Sequence, residues 1–544
     1  MKTVWLFNTR EERKALSAQN PEISYKSAYK ALLCEVLERD LLVGQAAVTL
    51  YYPVVEGDEP LRFRLETYPL QALYPDCEIA FVAEKSALGE NGGVYYRLVF
   101  ADGREEKIFA PVRWKDKADG TRELAATAWQ CDENGSFPQQ SAFEDLYDQA
   151  CELINTIPLS ELSDGKTQIR FDITLTGTDE PLNIGHEHLS LAEALHEEIY
   201  FSGLEILEKR FGVGNRRLRA GQILPVVRYG AEDSFKVTIS AEPSAYAEQA
   251  ERSTLADEHC NKALCPQALA CEVERLGGKR FDGVSVQGRA LYGVLINEHL
   301  PQAFALSAGQ HANESSGVVG ALRAAKALCE AGDIGFSYRP LGNPDGYAAF
   351  LHLCYHAPNH MHHAARYTAA GCDLAYGDAE PLLPEYAHTQ NAKALLPQAW
   401  LHLNLHGYPA HEWTRPLSGY VPRHFARWTI PKGFFIIIRY RKDYKAQAEA
   451  VLQSALAAVM SYAPQVEQNL AMVKAYLDTV GEADFPIYEG VVPYSFDEYE
   501  NMDYGVELIT EAPDETVSGD WFMMYQEMQY RVVMAVAKWL KEQS

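Results

Sequence analysis

From about residue 255 to the end of the chain, short apolar segments alternate with helical ones. GVLINE, AFALSAG, IGFSYRPL, AWLHLNLHG, FFIIIRY and GVELITEAP each read as a strand; the segment through Ala327, KAQAEAVLQSALAAVMSY and residues 521–541 read as helices. Strands this apolar are buried on both faces, so the alternation predicts an α/β domain over residues 255–544 with helices on either side of its sheet. In such a domain the active site lies beyond the carboxyl ends of the strands.

The chain upstream reads differently. QAAVTLYYPVV, PLRFRLETYPL, CEIAFVAEK and GVYYRLVFADG carry period-two or β-rich patterns between Gly, Pro and Asp. They predict a mostly antiparallel β-domain over residues 1–140, with a helix near its start at SYKSAYKALLCEVLERDLL. Residues 141–254 read as an α+β segment or second domain, in which the amphipathic helices SAFEDLYDQACELINTI and SLAEALHEEIYFSGLEILEKRF flank the strand TQIRFDITLTG.

Composition limits the partners. The formal charge is −26, and so acidic a surface repels phosphate backbones and anionic lipid, which argues against nucleic acid or membrane partners. No window approaches about 18 uncharged apolar residues, and the apolar run at the start is too short for a signal peptide. The ten cysteines contain no CxxC pair and read as reduced thiols. A cytoplasmic protein of unspecified oligomeric state is the expectation.

The chemistry starts in AFALSAGQHANESSGVVGALRAAKAL, where a strand runs into His311 and a helix opens at Glu314. An HxxE spacing across such a bend can bring an imidazole nitrogen and a carboxylate to one point, two of the three protein ligands a catalytic zinc needs. WLHLNLHGYP supplies the third: His402, Asn404 and His406 share one strand face, and His406 stands last, before Gly407 opens a loop. A hydrolytic zinc site also needs a general base. Glu507 and Glu511 share a face of GVELITEAP; Glu511, at the strand end, is the better placed and Glu507 the alternative. Arg366, in HHAARYTAAG, is a candidate to steady an oxyanion, or else forms a structural salt bridge.

The segment FDGVSVQGRALYGVLINEHLPQAFALSAGQHANESSGVVGALRAAKAL resembles the opening of the catalytic domain in zinc carboxypeptidases of the carboxypeptidase A type. Its Gly283, Ser285, Gly288 and Arg289 match the family's turn, His311 and Glu314 the first two ligands, and Asn343, Pro344, Asp345 and Gly346 the Asn-Pro-Asp-Gly loop. The resemblance covers about residues 255–544. It implies a mixed eight-stranded sheet, one zinc per chain, and hydrolysis of an amide bond in a peptide or amino-acid conjugate by metal-activated water. Matched by order, His406 is the third ligand and Glu511, less readily Glu507, the base, while Tyr494 or Tyr499 would close over substrate.

The chain departs from that pattern where the family grips a terminal carboxylate. Ala375 and Tyr376 stand in place of an Asn-Arg pair, and the Arg common inside the HxxE motif is Asn313. Asn343 and Tyr376 are then candidates for substrate contact, and the specificity is open. An N-acyl-amino-acid deacylase of the same fold, or a catalytically inactive binding protein on a peptidase scaffold, are the alternatives. His186 and His188 flank Glu187, but side chains one residue apart point to opposite faces of a strand, which favours a structural role. The histidines of HLCYHAPNHMHHAARYTAAGCDL read as a loop near the site mouth, and His411 with Glu412 as support for His406 or a substrate wall.

Overall fold

The computed structural model describes residues 2–117, 119–162, 166–214, 218–240, 252–376, 382–421 and 426–543. Its centre is a nine-stranded sheet built from β1 (Lys279–Arg280), β2 (Val294–Ile296), β3 (Ala303–Ala308), β4 (Gly335–Arg339), β5 (Leu401–Gly407), β6 (Phe435–Tyr440), β7 (Ile487–Tyr488), β8 (Val492–Glu498) and β9 (Val506–Ala512). The spatial order is β1-β2-β4-β3-β5-β9-β6-β8-β7. The central strands β4, β3, β5 and β9 run parallel, and β6 returns antiparallel to β9. The sheet is mixed, as expected, but has nine strands rather than eight. Each rim ends in a two-residue strand, β1 and β7, too short to leave a periodic signal.

One face of the sheet is covered by α2 (Ser316–Ala331), α4 (Lys445–Met460) and α5 (Asp520–Glu542), which pack on one another; before them in the chain come α1 (Leu191–Phe211) and, between, α3 (Pro344–His356). The opposite face has a smaller core in which Ala303 and Ala305 of β3 meet Ala392 of the helix Pro384–Leu395 and Leu396 just after it. Farther along that face, toward the strand ends, the sheet is open and carries the site. Among the described residues no helix is long and apolar enough to cross a membrane.

Two strand pairs among the N-terminal residues are parallel. Strand 2–6 pairs parallel with 23–27, and strand 47–55 parallel with 78–86. Parallel neighbours need a crossover, and helices at 10–19 and in 62–73 provide it. The segment PLRFRLETYPL is thus not a strand. Both Phe63 and its neighbours Arg62 and Arg64 are buried, which defeats a period-two reading, and Arg62 pairs with Glu66 across one helical turn at 3.2 Å.

Read from its sequence as amphipathic, helix α1 would turn a polar face to solvent. Instead Glu193, His196, Glu197, Glu198 and Ser202 are all buried, because one side of α1 rests on the helix 142–156 and the strand 222–229 and the other on loops of the C-terminal part. The largest hydrophobic core among the described residues runs from Trp5 to Leu540. We keep the divisions at 140 and 254 as a proposed subdivision of that core; residues 241–251, beside the second, lie outside the described residues.

Candidate metal centre

The ends of the parallel strands gather the expected residues. His311 and Glu314 lie between the end of β3 and the start of α2, and His406 is the penultimate residue of β5. The register of β5 with β9 sets Glu511 directly beside His406, and Glu507 beside His402 four residues back. His311 Nδ1 is 2.8 Å from Glu314 Oε1, His406 Nδ1 is 2.8 Å from Glu314 Oε2, and the two ring nitrogens are 3.1 Å apart.

All three side chains are buried, so water does not account for this arrangement. Two imidazole nitrogens that face each other at 3.1 Å can share only one proton between them, and each also faces the carboxylate. A cation at about 2.0–2.2 Å from each donor satisfies all three, and the donor set suits zinc. The far nitrogen of His311, Nε2, lies 3.4 Å from Asp373 Oδ1, the carboxylate support that orients a ligating imidazole. Burial opposes ionisation of Glu314, but the two imidazoles more than offset it and hold its carboxyl well below the usual range. Asp373 is likewise held low against burial by His311 and Arg366.

The two glutamates of β9 have different surroundings. Glu507 lies 3.2 Å from both His402 Nδ1 and Asn404 Nδ2, and 3.6 Å from Arg439 Nη1. Burial raises its carboxyl, yet His402, Arg439 and His406 bring it down to about 2. Glu511 makes no hydrogen bond among the described residues, and burial together with Glu314 pushes its carboxyl up. Beside it lies Lys432, buried with its Nζ 4.5 Å from the Trp428 ring centroid and 5.2 Å from that of Tyr408, and lowered by burial to about 7.

Arg366 donates from Nη1 to Glu314 Oε1 at 3.0 Å, so the ion pair weighed in the sequence is present. Its guanidinium also borders two adjoining cavities, about 740 and 720 Å³, that share Arg366, Asp373 and Glu511. The first is polar, with Arg339, Tyr376, His402, Asn404, Tyr499 and Glu507 in its wall. The second is aromatic, lined by Tyr408, Trp413, Trp428 and Phe435 and by Tyr200 and Phe201 of α1.

Tyr376 and Tyr499 therefore stand at the polar cavity, and Tyr494 and Asn343 do not. Tyr494 is held in β8 opposite Ile436. Asn343 is fully buried, where it caps α3 by accepting the Gly346 N–H and donates to the Tyr367 carbonyl at 3.0 Å. The matched turn is also structural: Asp345 of the Asn-Pro-Asp-Gly loop receives Ser285 Oγ at 2.7 Å and Arg289 Nη1 at 2.9 Å.

Sequence reasoning passed over Asp373, Arg339 and Lys432. Asp373 lies in CDLAYGD, two residues before Ala375, where the family's Asn-Arg pair is missing. Arg339 is the lone charge in an otherwise uncharged strand, a usable signal. It is 8% exposed and bonds Thr389 Oγ1 at 2.6 Å, with no carboxylate partner among the described residues.

No protein-family model matches the chain, and no curated protein does. Solved structures similar to part of it include a metallo-carboxypeptidase from Pseudomonas aeruginosa in complex with (2-guanidinoethylmercapto)succinic acid, at 18% identity over 52% of this chain and 70% of that one, TM-score 0.30. A metallo-carboxypeptidase from Burkholderia cenocepacia is 14% identical over 52% of this chain and 70% of that one, TM-score 0.31. Carboxypeptidase A from Helicoverpa armigera is 12% identical over 57% of this chain and 83% of that one, TM-score 0.33. The resemblance to metallocarboxypeptidases is thus partial, at low identity and over about half of the chain.

Proposed function

We propose that the protein is a zinc-dependent hydrolase of an amide bond, acting in the manner of a metallocarboxypeptidase on a peptide or amino-acid conjugate. The observation that carries this reading is the convergence of His311, Glu314 and His406 within hydrogen-bond distance of one another, with Glu511 in register beside His406.

His311, Glu314 and His406 would hold the ion. The chemistry such an ion supplies when bound is Lewis-acid polarisation of a carbonyl and acidification of water. Glu511, free of hydrogen bonds among the described residues and facing the cavity, takes a proton from the attacking water and returns it to the leaving nitrogen. Arg366, fixed by Glu314, presents positive charge where the carbonyl oxygen turns anionic. Arg339, a buried cation lacking a carboxylate partner among the described residues, favours an anionic group on the substrate in the polar cavity. The rest of the substrate then runs along the aromatic cavity, against α1.

The test is metal content and hydrolysis for wild type and His406→Ala side by side, on a library of peptides and N-acyl amino acids. The reading expects the variant to lose one zinc and all turnover. An unchanged zinc content, or a variant still active, would sink it.

A further inference from the structure

A second group of metal-ligating side chains lies outside the two cavities, where α1 meets the loops that leave β5 and β9. His188 Nε2 is 2.8 Å from Glu193 Oε2, and His411 Nε2 is 2.7 Å from Glu193 Oε1. One donor atom from each of the three falls within 4.8 Å of the others, and the two rings are 4.2 Å apart between centroids. Each side chain is more than nine-tenths buried. The set repeats the first centre: a glutamate turns each oxygen to a different imidazole, there at 2.8 Å for both.

The far nitrogens are anchored in the way metal-ligating imidazoles are. His188 Nδ1 is 3.2 Å from the His186 carbonyl oxygen, and His411 Nδ1 is 3.1 Å from Thr516 Oγ1. The carboxylate is fixed as well, since Glu193 Oε1 accepts the Met361 N–H at 2.8 Å.

We propose that His188, Glu193 and His411 form a second, structural site for zinc or a divalent cation of similar preference. Two imidazoles with one carboxylate suit zinc, whereas magnesium and calcium ask for oxygen ligands throughout. The position gives the site a task. His411 follows His406 by five residues on the loop leaving β5, and Thr516 follows Glu511 by five on the loop leaving β9, while His188 and Glu193 belong to the N-terminal half. An ion held there ties that half to the two loops next to the first centre.

The test uses the full chain, stripped with a chelator and titrated with cobalt(II), with visible absorption and elemental content followed together. Wild type is expected to take two equivalents, and His188→Gln and His311→Ala one each. Saturation of wild type at a single equivalent that survives in His188→Gln overturns the second site, as does a second equivalent that His188→Gln leaves in place. The wild-type count needs no variant, so it stands even if His188→Gln does not fold. A single equivalent lost in His188→Gln but kept in His311→Ala upholds this site and removes the first.

Discussion

Glu507 and Glu511 share one strand and one face, yet their neighbours fit them for different work. A general base must be free to gain and release a proton near the working pH. Glu507, held down to about 2 by His402, Arg439 and His406 despite its burial, is a fixed anion that organises the polar cavity. Glu511, raised by burial and by Glu314 and without a hydrogen bond among the described residues, can exchange a proton. Glu511→Gln is therefore expected to keep its metal and lose turnover by about 10²- to 10⁴-fold, the usual contribution of a general acid–base group; kcat and zinc content check it. If Glu507→Gln is the dead variant and Glu511→Gln is active, the roles are reversed. Arg339 gives a second expectation at this scale. Removing a charged hydrogen bond to substrate costs about 1.5–3 kcal/mol, so Arg339→Met should raise KM roughly 10- to 100-fold with kcat little changed. An unchanged KM would return Arg339 to a structural role.

At the scale of elements, close packing behind the site matters as much as the residues in it. Helix α2, which begins just after Glu314, crosses α5 so closely at Gly320 that a Cβ there would lie 2.5 Å from Gln529 Cβ and 2.9 Å from the Gln526 carbonyl oxygen. Gln529 in turn donates to the His406 carbonyl at 2.8 Å. Gly320→Ala should force the helices apart at a cost of about 1–3 kcal/mol, lowering the thermal midpoint and weakening metal affinity together; a midpoint unchanged within a degree would contradict it. Such elements were readable in advance where they are long and one-sided: β2 to β6, β9, α2, α4 and α5 follow from apolar run length, and the bend at His311 from the strand and helix that meet there. β8 was not readable, because VPYSFDE mixes Pro, Tyr and acids and earns its place by pairing with β6. Asp373, Arg339 and Lys432 reach the site from segments widely separated in sequence, and no spacing rule encodes an approach made by three separate loops and strands.

Over the whole molecule, the N-terminal half is what holds the site loops. The backbone of Gly371, between Arg366 and Asp373, has φ +83° and touches Gly221 so closely that a Cβ would fall 1.9 Å from the Gly221 carbonyl oxygen. Gly371→Ala should thus unseat this loop and lower activity at unchanged zinc content, which kinetics and elemental analysis together can read. The loop after His406 is held by charge instead. Arg415 is buried, and donates to Glu205 Oε1 of α1 at 2.8 Å and to Ser202 Oγ at 2.9 Å, while Lys117 reaches Glu205 Oε2 at 2.5 Å. Burial disfavours the Glu205 carboxylate, but Arg415 and Lys117 overcome that and bring it from 4.5 down to about 2. Because the folded state binds the ionised form, the stabilisation is fully present above the ordinary value of 4.5 and disappears as pH falls through about 2. The shift corresponds to roughly 3 kcal/mol. Glu205→Gln should therefore lower stability at pH 7 by an amount of that order, and the gap from wild type should shrink steadily between pH 5 and about 2. Denaturant melts of both proteins across that range decide the matter: a gap that stays constant with pH would mean that Glu205 acts through its shape and hydrogen bonds, and that charge is not what fastens α1 to the loop behind His406.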